Sequence, residues 1–275
     1  MKKLMASSFL GLGIGIFCVI YSIHYSGNLR SFMNLPSFLI IAGGTAGALI
    51  LAFPFERLKT LGSVIARAFK KDHIDLQKDI ETILELSEFA KKNGTLALEN
   101  LAKQYDNDEF LQKGIYLLAD GLAEDMLIAS MQNDIYFAQK RHKQGHAMID
   151  LIASSVTSLG LMGTYIGLIP MLEHLEDPTS LGPLMAIELV TSFYGAFLSY
   201  VIFMPLSRKL KNMSSEEALR KEIILEGLVD IQKGKNPRII QEELVACLTK
   251  KQAKTMTKNG KKSKKPFEFK GKKVA

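Results

Sequence analysis

Four long runs of apolar residues, separated by strongly charged segments, dominate the pattern of the chain. A helix needs about 20 predominantly apolar residues to cross a lipid bilayer, and each run reaches or approaches that length. We therefore predict four membrane-spanning helices, called spans one to four: Leu4–Tyr21, Ser31–Phe55, Leu151–Leu172 and Leu181–Leu206. Two lysines precede the first run, as in a signal peptide, but no convincing cleavage site follows, so we expect a retained span.

Between spans two and three, apolar residues recur at helical spacing with charges on the opposite face. This pattern predicts helices over Asp75–Lys92, Thr95–Tyr105 and Asp108–Leu118, and a longer helix from Glu124 into span three. Gly94 is the expected break after the first of them. After span four we predict a helix over Ser215–Gly234 capped by Ser215, a turn at Asn236-Pro237, and a last helix over Arg238–Leu248.

Charges at the ends of the spans predict the orientation in the membrane. The turn between spans three and four, EHLEDPTS, holds three acids and no base, whereas lysines and arginines border the long polar segments. The positive-inside rule then predicts both termini and the segment 56–147 in the cytoplasm. The predicted fold class is all-α: a polytopic membrane protein with four transmembrane helices and a helical cytoplasmic domain. Its predicted divisions are 1–55 (spans one and two), 56–147 (cytoplasmic helical domain), 148–207 (spans three and four), 208–249 (C-terminal helices) and 250–275 (basic tail).

The positive charge of the chain belongs to its tail. Net charge is +7, but from Lys250 onward there are 11 lysines and one glutamate, so the preceding residues carry −3. Such a tail predicts disorder and contact with anionic lipid, and it is weak support for nucleic-acid binding. We expect that the protein is not an enzyme and that it holds no metal and no resident cofactor. The sequence has no phosphate-binding loop, no nucleophile elbow and no Cys/His constellation. His142 and His146 have the spacing of paired metal ligands, but a solvated or helix-lining pair is the preferred interpretation.

A polar face runs along span four. Glu188, Thr191, Ser192 and Gly195 fall at positions i, i+3, i+4 and i+7 of one helix face, and span three adds Ser155, Thr157, Ser158 and Thr164. A hydroxyl in a membrane helix can bond to its own backbone, or it can replace part of the hydration shell of a cation. Both interpretations stay open. Glycine pairs four residues apart predict close approach between spans: Gly11 and Gly15, Gly43 and Gly47, and Gly163 and Gly167.

Several of these segments resemble the MotA/PomA family of flagellar stator subunits. The similar stretches are NLPSFLIIAGGTAGALILAFPFERLK (34–59), KKNGTLALE (91–99), LGLMGTYIGLIPML, DPTSLGPLMAIELVTSFYG, MPLSRKL, and KEIILEGLVDIQKGKNPRIIQEEL (221–244). The resemblance implies a pentameric ring around a MotB/PomB-like single-span partner in the bacterial cytoplasmic (inner) membrane. It also implies that flow of Na⁺ or H⁺ between ring and partner drives torque on the rotor through the switch protein FliG.

The resemblance also implies roles for particular residues. Lys91 and Glu99 match the charged residues that contact the rotor, and Pro205 matches a proline of conformational coupling at the end of the last span. Thr164, Thr191 and Ser192 match hydroxyls of the ion pathway. Three positions depart from the family pattern, of which Lys91 stands where arginine is usual and keeps the charge. Thr157 replaces the proline of the third span, and Glu188 stands where alanine is usual, as a separate candidate for the ion pathway.

Two other functions are compatible with the sequence pattern. An ExbB/TolQ-like energy-transducing subunit would share a similar core of two spans around a single-span partner, but that family has three spans and an outside N-terminus. A structural membrane scaffold would use the hydroxyls of spans three and four only to join helices.

Overall fold

The computed structural model describes residues 3–27, 29–70, 74–248 and 253, and every regular element among them is helical. The α-helices are α1 (Lys3–Ser26), α2 (Leu35–Ala52), α3 (Phe55–Leu58), α4 (Leu61–Phe69), α5 (Leu76–Asn93), α6 (Glu99–Ala102), α7 (Glu109–Ala119), α8 (Glu124–Glu173), α9 (Pro178–Phe197), α10 (Met204–Gln232) and α11 (Pro237–Val245). Short 3₁₀ turns cover Leu29–Phe32, Leu96–Leu98 and Lys103–Tyr105. A π-helical turn, called the π-segment, covers Leu198–Phe203 between α9 and α10. The predicted all-α class is confirmed.

The apolar runs form helices of membrane-spanning length. Among the described residues, α2, α8 and the stretch Leu181–Gln232 contain windows long and apolar enough to cross a bilayer, and α1 carries a shorter apolar stretch, Leu10–Tyr25. Large apolar side chains remain exposed along them, including Phe17, Leu51 and Ile169. Apolar exposure on this scale fits contact with lipid, and the protein is a membrane protein.

Span two is shorter than predicted at both ends, since its helix runs from Leu35 to Ala52 rather than over 31–55. At its start, the Asn34 side chain accepts hydrogen bonds from the backbone N–H and the hydroxyl of Ser37, which caps the helix. At its end, Phe53 has an extended backbone, as expected for a residue that precedes a proline, here Pro54.

The predicted helix start at Ser215 is wrong. Helix α10 begins at Met204 and passes through Ser215, whose hydroxyl donates to the Lys211 carbonyl one turn earlier. A serine inside a helix often makes this bond, so its presence alone does not mark a cap. The last predicted helix is confirmed with shifted bounds, because Asn236 caps α11 and Pro237 occupies its first position.

The chain forms two compact units. The membrane unit comprises Met1–Asp72 and Gln139–Ser215, and the α5–α7 unit comprises His73–Ala138 and Glu216–Ala275. The five sequence divisions predicted above stay a prediction. The tail, 250–275, lies outside the described residues apart from Ala253.

The α5–α7 unit has an aliphatic core and a partly buried ion cluster. Its fully buried members include Ile80, Ile83, Leu118 and Leu228. The guanidinium of Arg220 in α10 donates to both carboxylate oxygens of Asp79 in α5, at 2.8 and 2.9 Å, and it also contacts Asp108. Asp108 in turn caps α7 by accepting from the Leu111 N–H. One arginine therefore ties three helices together.

Candidate functional site

Spans three and four meet along a row of small residues within the membrane unit. Three pairs of residues lie against each other: Gly160 with Gly195, Gly163 with Thr191, and Gly167 with Glu188. A methyl group added at Gly195 would come within 2.7 Å of the Gly160 Cα and 3.0 Å of the Val156 carbonyl oxygen. Any larger residue at these glycines would push the two helices apart. The predicted close approach at Gly163 and Gly167 is confirmed.

In the other two predicted glycine pairs, one member, Gly15, makes a close contact within the described chain. At Gly11, Gly43 and Gly47 an added methyl group would meet no described atom of this chain within 4 Å, so close approach at these three stays a prediction. Gly15, the partner of Gly11 in the prediction, does lie close to another helix, since a methyl group added there would come 3.1 Å from Val201 of the π-segment. A methyl group added at Gly44, next to Gly43, would come 2.8 Å from the Leu159 side chain.

The polar face of span four is therefore also its packing face. Thr191 is completely buried, its side chain occupies the space opposite Gly163, and its hydroxyl donates to the Ile187 carbonyl at 2.5 Å. Thr164 donates similarly to the Leu161 carbonyl of its own helix at 2.6 Å. Ser192 is half-buried on α9. These bonds satisfy the hydroxyls of Thr164 and Thr191 within single helices.

Glu188 is half-buried within span four, where its Cβ lies 2.9 Å from the position of a methyl group added at Gly167. Its carboxyl group has no hydrogen-bond or ion-pair partner among the described residues. A carboxyl in the apolar part of a membrane protein is costly without a partner or water, so it is a functional candidate by default. The structure brings Glu188 and Thr191 together on the contact with span three and leaves the role of Glu188 a prediction.

The π-segment separates this packing face from Pro205. Its defining bond runs from the Met204 N–H to the Ser199 carbonyl, five residues back. Ser199 is completely buried, and its hydroxyl donates across the helix contact to the Ala153 carbonyl of span three at 2.9 Å. The hydroxyl of Thr157 donates to the same carbonyl at 3.0 Å. Pro205 is exposed at the second position of α10.

Beyond Pro205, charged and polar groups join α8 and α10. Asp150 accepts from the Ser207 hydroxyl at 2.5 Å and pairs with the Lys211 ammonium at 2.7 Å. One turn earlier on α8, the His146 ring is half-buried. Burial, followed by the positive neighbourhood of His142 and Lys211, lowers the pKa of His146 below its ordinary value.

His142, on the same helix, connects a third element. Its Nε2 lies 2.8 Å from an Arg67 guanidinium nitrogen of α4, and its Nδ1 lies 3.1 Å from the Ser214 hydroxyl. Guanidinium nitrogens only donate, so Nε2 accepts and the proton of the neutral ring is on Nδ1. His142 is therefore part of a polar network that joins α8 to α4 and α10, which fits the helix-lining interpretation of the histidine pair.

Lys91 and Glu99 lie in the α5–α7 unit. Lys91 is in the last turn of α5, Glu99 begins α6, and both are exposed. Gly94 ends α5 with a φ of 85°, a conformation that favours glycine, and so confirms the predicted break. Within the same turn Leu98 is buried, which anchors the backbone next to Glu99.

Sequence reasoning missed Ser199, the π-segment and Asp150. One signal could have found Ser199, because it continues the polar face of span four at positions 188, 191, 195 and 199. The π-segment leaves no comparable pattern, because one extra residue in a turn changes no residue type.

Comparison with known proteins identifies the family. A family model described as MotA/TolQ/ExbB proton channel family matches residues 102–223, and a model described as Motility protein A N-terminal matches residues 9–95. The first description covers motility proteins and ExbB/TolQ proteins together. The second is specific to motility protein A, so an ExbB-like subunit is not favoured.

Individual relatives and a solved structure agree. The chain is 36% identical to Uncharacterized protein YtxD of Bacillus subtilis, over 89% of this chain and 91% of the relative. It is 34% identical to Motility protein A of Cereibacter sphaeroides, over 88% and 95%. A solved structure of the flagellar MotAB stator complex from Bacillus subtilis matches with a TM-score of 0.82 at 27% identity, covering 90% of this chain and 98% of that chain. With this agreement along almost the whole length, the chain belongs to the motility protein A (MotA/PomA) family.

Proposed function

We infer that this chain is a stator subunit of the bacterial flagellar motor that couples cation flow across the cytoplasmic membrane to torque on the rotor. The observation that carries this inference is the identity of 34% to Motility protein A over 88% of the chain, joined to the specific match of residues 9–95. The test is expression with the MotB-like protein of the same organism in a strain that lacks its own stators. Restored swimming supports the function, and immobility with both proteins present in the membrane contradicts it.

The assembly we propose is a pentameric ring of this chain around a MotB-like single-span partner. The similarity of this fold to a solved MotAB stator complex supports assembly with such a partner. The exposed apolar faces of α1 and α2 would lie against lipid or neighbouring copies. We further propose four passes with both termini in the cytoplasm, which cysteine labelling from each side of the membrane would test.

The transported ion would be Na⁺ or H⁺, passing along the interface with the partner beside spans three and four. Thr164 and Ser192 are both half-buried, so each keeps some surface for a partner or ion. Thr191 is completely buried in the contact with Gly163, which favours a packing role for that side chain. Swimming speed against sodium concentration and against pH distinguishes the two ions.

Glu188 is our separate candidate for ion preference. Replacing it with Gln removes the charge and keeps the shape against Gly167. We expect E188Q to change speed or ion preference without loss of the protein from the membrane, because the packing face is preserved. Unchanged swimming across sodium concentrations and pH values would remove Glu188 from the pathway.

Contact with the rotor protein FliG would use Lys91 and Glu99, which are exposed on either side of the Gly94 turn. Charge reversal in K91E and E99K should lower torque and leave membrane level unchanged, since neither side chain is part of a core. Reversal of Lys103, an exposed lysine in the next turn, is the matched control. Normal torque in both K91E and E99K would exclude this surface.

A further inference from the structure

The π-segment is a local irregularity in span four that needs an explanation. Its turn holds one residue more than an α-helical turn, as the Met204 N–H to Ser199 carbonyl bond shows. Such turns are rare, have poorer hydrogen-bond geometry and occur often at functional sites. One extra residue also rotates everything that follows by about one helical step, roughly 100°. The direction in which Pro205 and Ser207 face therefore depends on the π-segment.

Two neighbouring spans hold the π-segment in place. The Ser199 hydroxyl, completely buried, donates to the Ala153 carbonyl of span three at 2.9 Å. On another side, Val201 lies against Gly15 of α1, 3.1 Å from the position of an added methyl group. A buried hydroxyl between two apolar helices is costly unless it is bonded, and the Ser199 hydroxyl makes its bond across the helix contact rather than to its own helix.

The Ala153 carbonyl is an unusual acceptor, because the Thr157 hydroxyl also donates to it, at 3.0 Å. The hydroxyls of Ser199 in span four and Thr157 in span three thus donate to the same carbonyl oxygen. A second hydroxyl contact between the same helices lies beyond the proline, where Ser207 donates to Asp150 at 2.5 Å. Pro205 lies between hydroxyl contacts at Ser199 and at Ser207, both to α8.

We infer that Ser199 is a positioning residue of the stator, whose hydroxyl holds the π-segment in register with span three at Ala153 and thereby sets the direction of Pro205. The inference builds on the proposed stator function. Ser199 acts through the backbone of span three and touches no transported ion. Its loss should therefore weaken the conversion of ion flow into torque and should leave the response to ion concentration unchanged.

The test measures torque near stall and the ion concentration at half-maximal speed, for motors with matched membrane levels of this chain. For S199A we expect torque to fall about threefold to tenfold, the range that one hydrogen bond supports. We expect the half-maximal ion concentration to stay within about twofold. The matched control is S154A, because Ser154 neighbours Ala153 and its exposed hydroxyl bonds only within α8, to the Leu151 carbonyl. S154A should leave torque unchanged.

A double-mutant cycle tests the shared acceptor. T157V keeps the branched shape and removes the second hydroxyl, so the effects of S199A and T157V should be non-additive if both act at the Ala153 carbonyl. If S199A does not reach the membrane, S199C replaces it, because cysteine keeps nearly the volume and is a weaker donor. Reduced torque in S199C then supports the inference, and normal torque contradicts it.

Other outcomes separate the alternatives. Torque in S199A equal to that in S154A would overturn the positioning role. A shifted half-maximal ion concentration with normal stall torque would also overturn it, because Ser199 would then belong to the ion pathway. Failure of the wild-type chain to restore swimming would contradict the proposed function instead. A working wild type with an unaffected S199A contradicts only the present inference.

Discussion

Two glycines, one in each unit of this protein, serve different purposes. In the membrane unit, Gly195 faces backbone, with the Gly160 Cα 2.7 Å and the Val156 carbonyl oxygen 3.0 Å from the position of an added methyl group. In the α5–α7 unit, Gly114 faces the ends of two flexible side chains, Leu228 and Met131. Backbone cannot move aside without moving a whole helix, whereas the end of a side chain can change rotamer.

The difference follows from the solvent of each unit. Lipid tails are as apolar as leucine, so burial of apolar side chains gives membrane helices little reason to associate, and close backbone contact replaces it. In water, burial of side chains such as Ile83 and Leu228 drives association, and glycine only makes room for them. Gly195 therefore makes a contact between two backbones, whereas Gly114 leaves room for side chains.

The largest expected effect is that of G195A. The added methyl group would meet the Gly160 backbone and separate spans three and four, and we expect a loss of more than about 3 kcal/mol of stability and almost all torque. The measurements are the amount of folded protein in membranes and swimming in the complementation strain. Its control is G182A on the same helix, where an added methyl group meets no atom within 4 Å. Equal behaviour of the two variants would contradict the proposed difference between these positions.

The sequence predicted this contact in part, because the helical spacing of Glu188, Thr191 and Gly195 placed them on one face, and Gly163 and Gly167 formed a small-residue pair. It did not predict which helix that face meets residue by residue. The Ser199–Ala153 bond depends on the register of two spans, and the Arg220–Asp79 pair joins residues 141 apart in the chain. Local patterns carry neither kind of information.

The start predicted at Ser215 failed for a related reason. Serine favours the cap position, but its preference is worth about 1 kcal/mol, which is less than the cost of breaking a helix that already extends from span four. No glycine or proline lies between Leu206 and Gly234 to end the helix earlier, apart from Gly227, which packs against Ile83 inside α10.

The second largest effect is expected for R220M. Removing the guanidinium leaves the Asp79 and Asp108 side chains, 15% and 19% exposed, without their charge partner. We expect the free energy of unfolding of the α5–α7 unit to fall by about 2 to 3 kcal/mol, below the range for fully buried pairs because water still reaches this cluster. Hydrogen exchange in α5 and α7 would measure it. R238M is the control, since Arg238 is 86% exposed in its pair with Glu242, and it should change stability by less than about 0.5 kcal/mol.

The matching substitution in the α5–α7 unit, for comparison with G195A, is G114A. The methyl group would meet the ends of Leu228 and Met131, with the Met131 Cε at 2.7 Å, and both side chains can shift. Overpacking costs about 1 to 3 kcal/mol, while alanine gains about 0.5 to 1 kcal/mol over glycine within a helix, so the net loss should be near 1 kcal/mol. Folded protein should remain at nearly normal levels in the membrane. A loss of folded protein as severe as in G195A would show that the two glycines are equivalent after all.

The smallest expected effect is a decrease in folding stability at low pH. Because burial lowers the pKa of His146 below its ordinary value of 6.5, the unfolded chain takes up a proton at His146 before the folded chain does as pH falls. Stability should therefore decrease as pH falls below about 6.5 and stop decreasing, for this group, below its folded pKa. The contribution should be small, since Asp150 partly offsets the effect of Lys211 and Arg67. Thermal unfolding in detergent across this range should be less pH-dependent in H146Q than in wild type. A steeper dependence in H146Q would mean that His146 gains rather than loses a proton on folding, and that Asp150 outweighs burial.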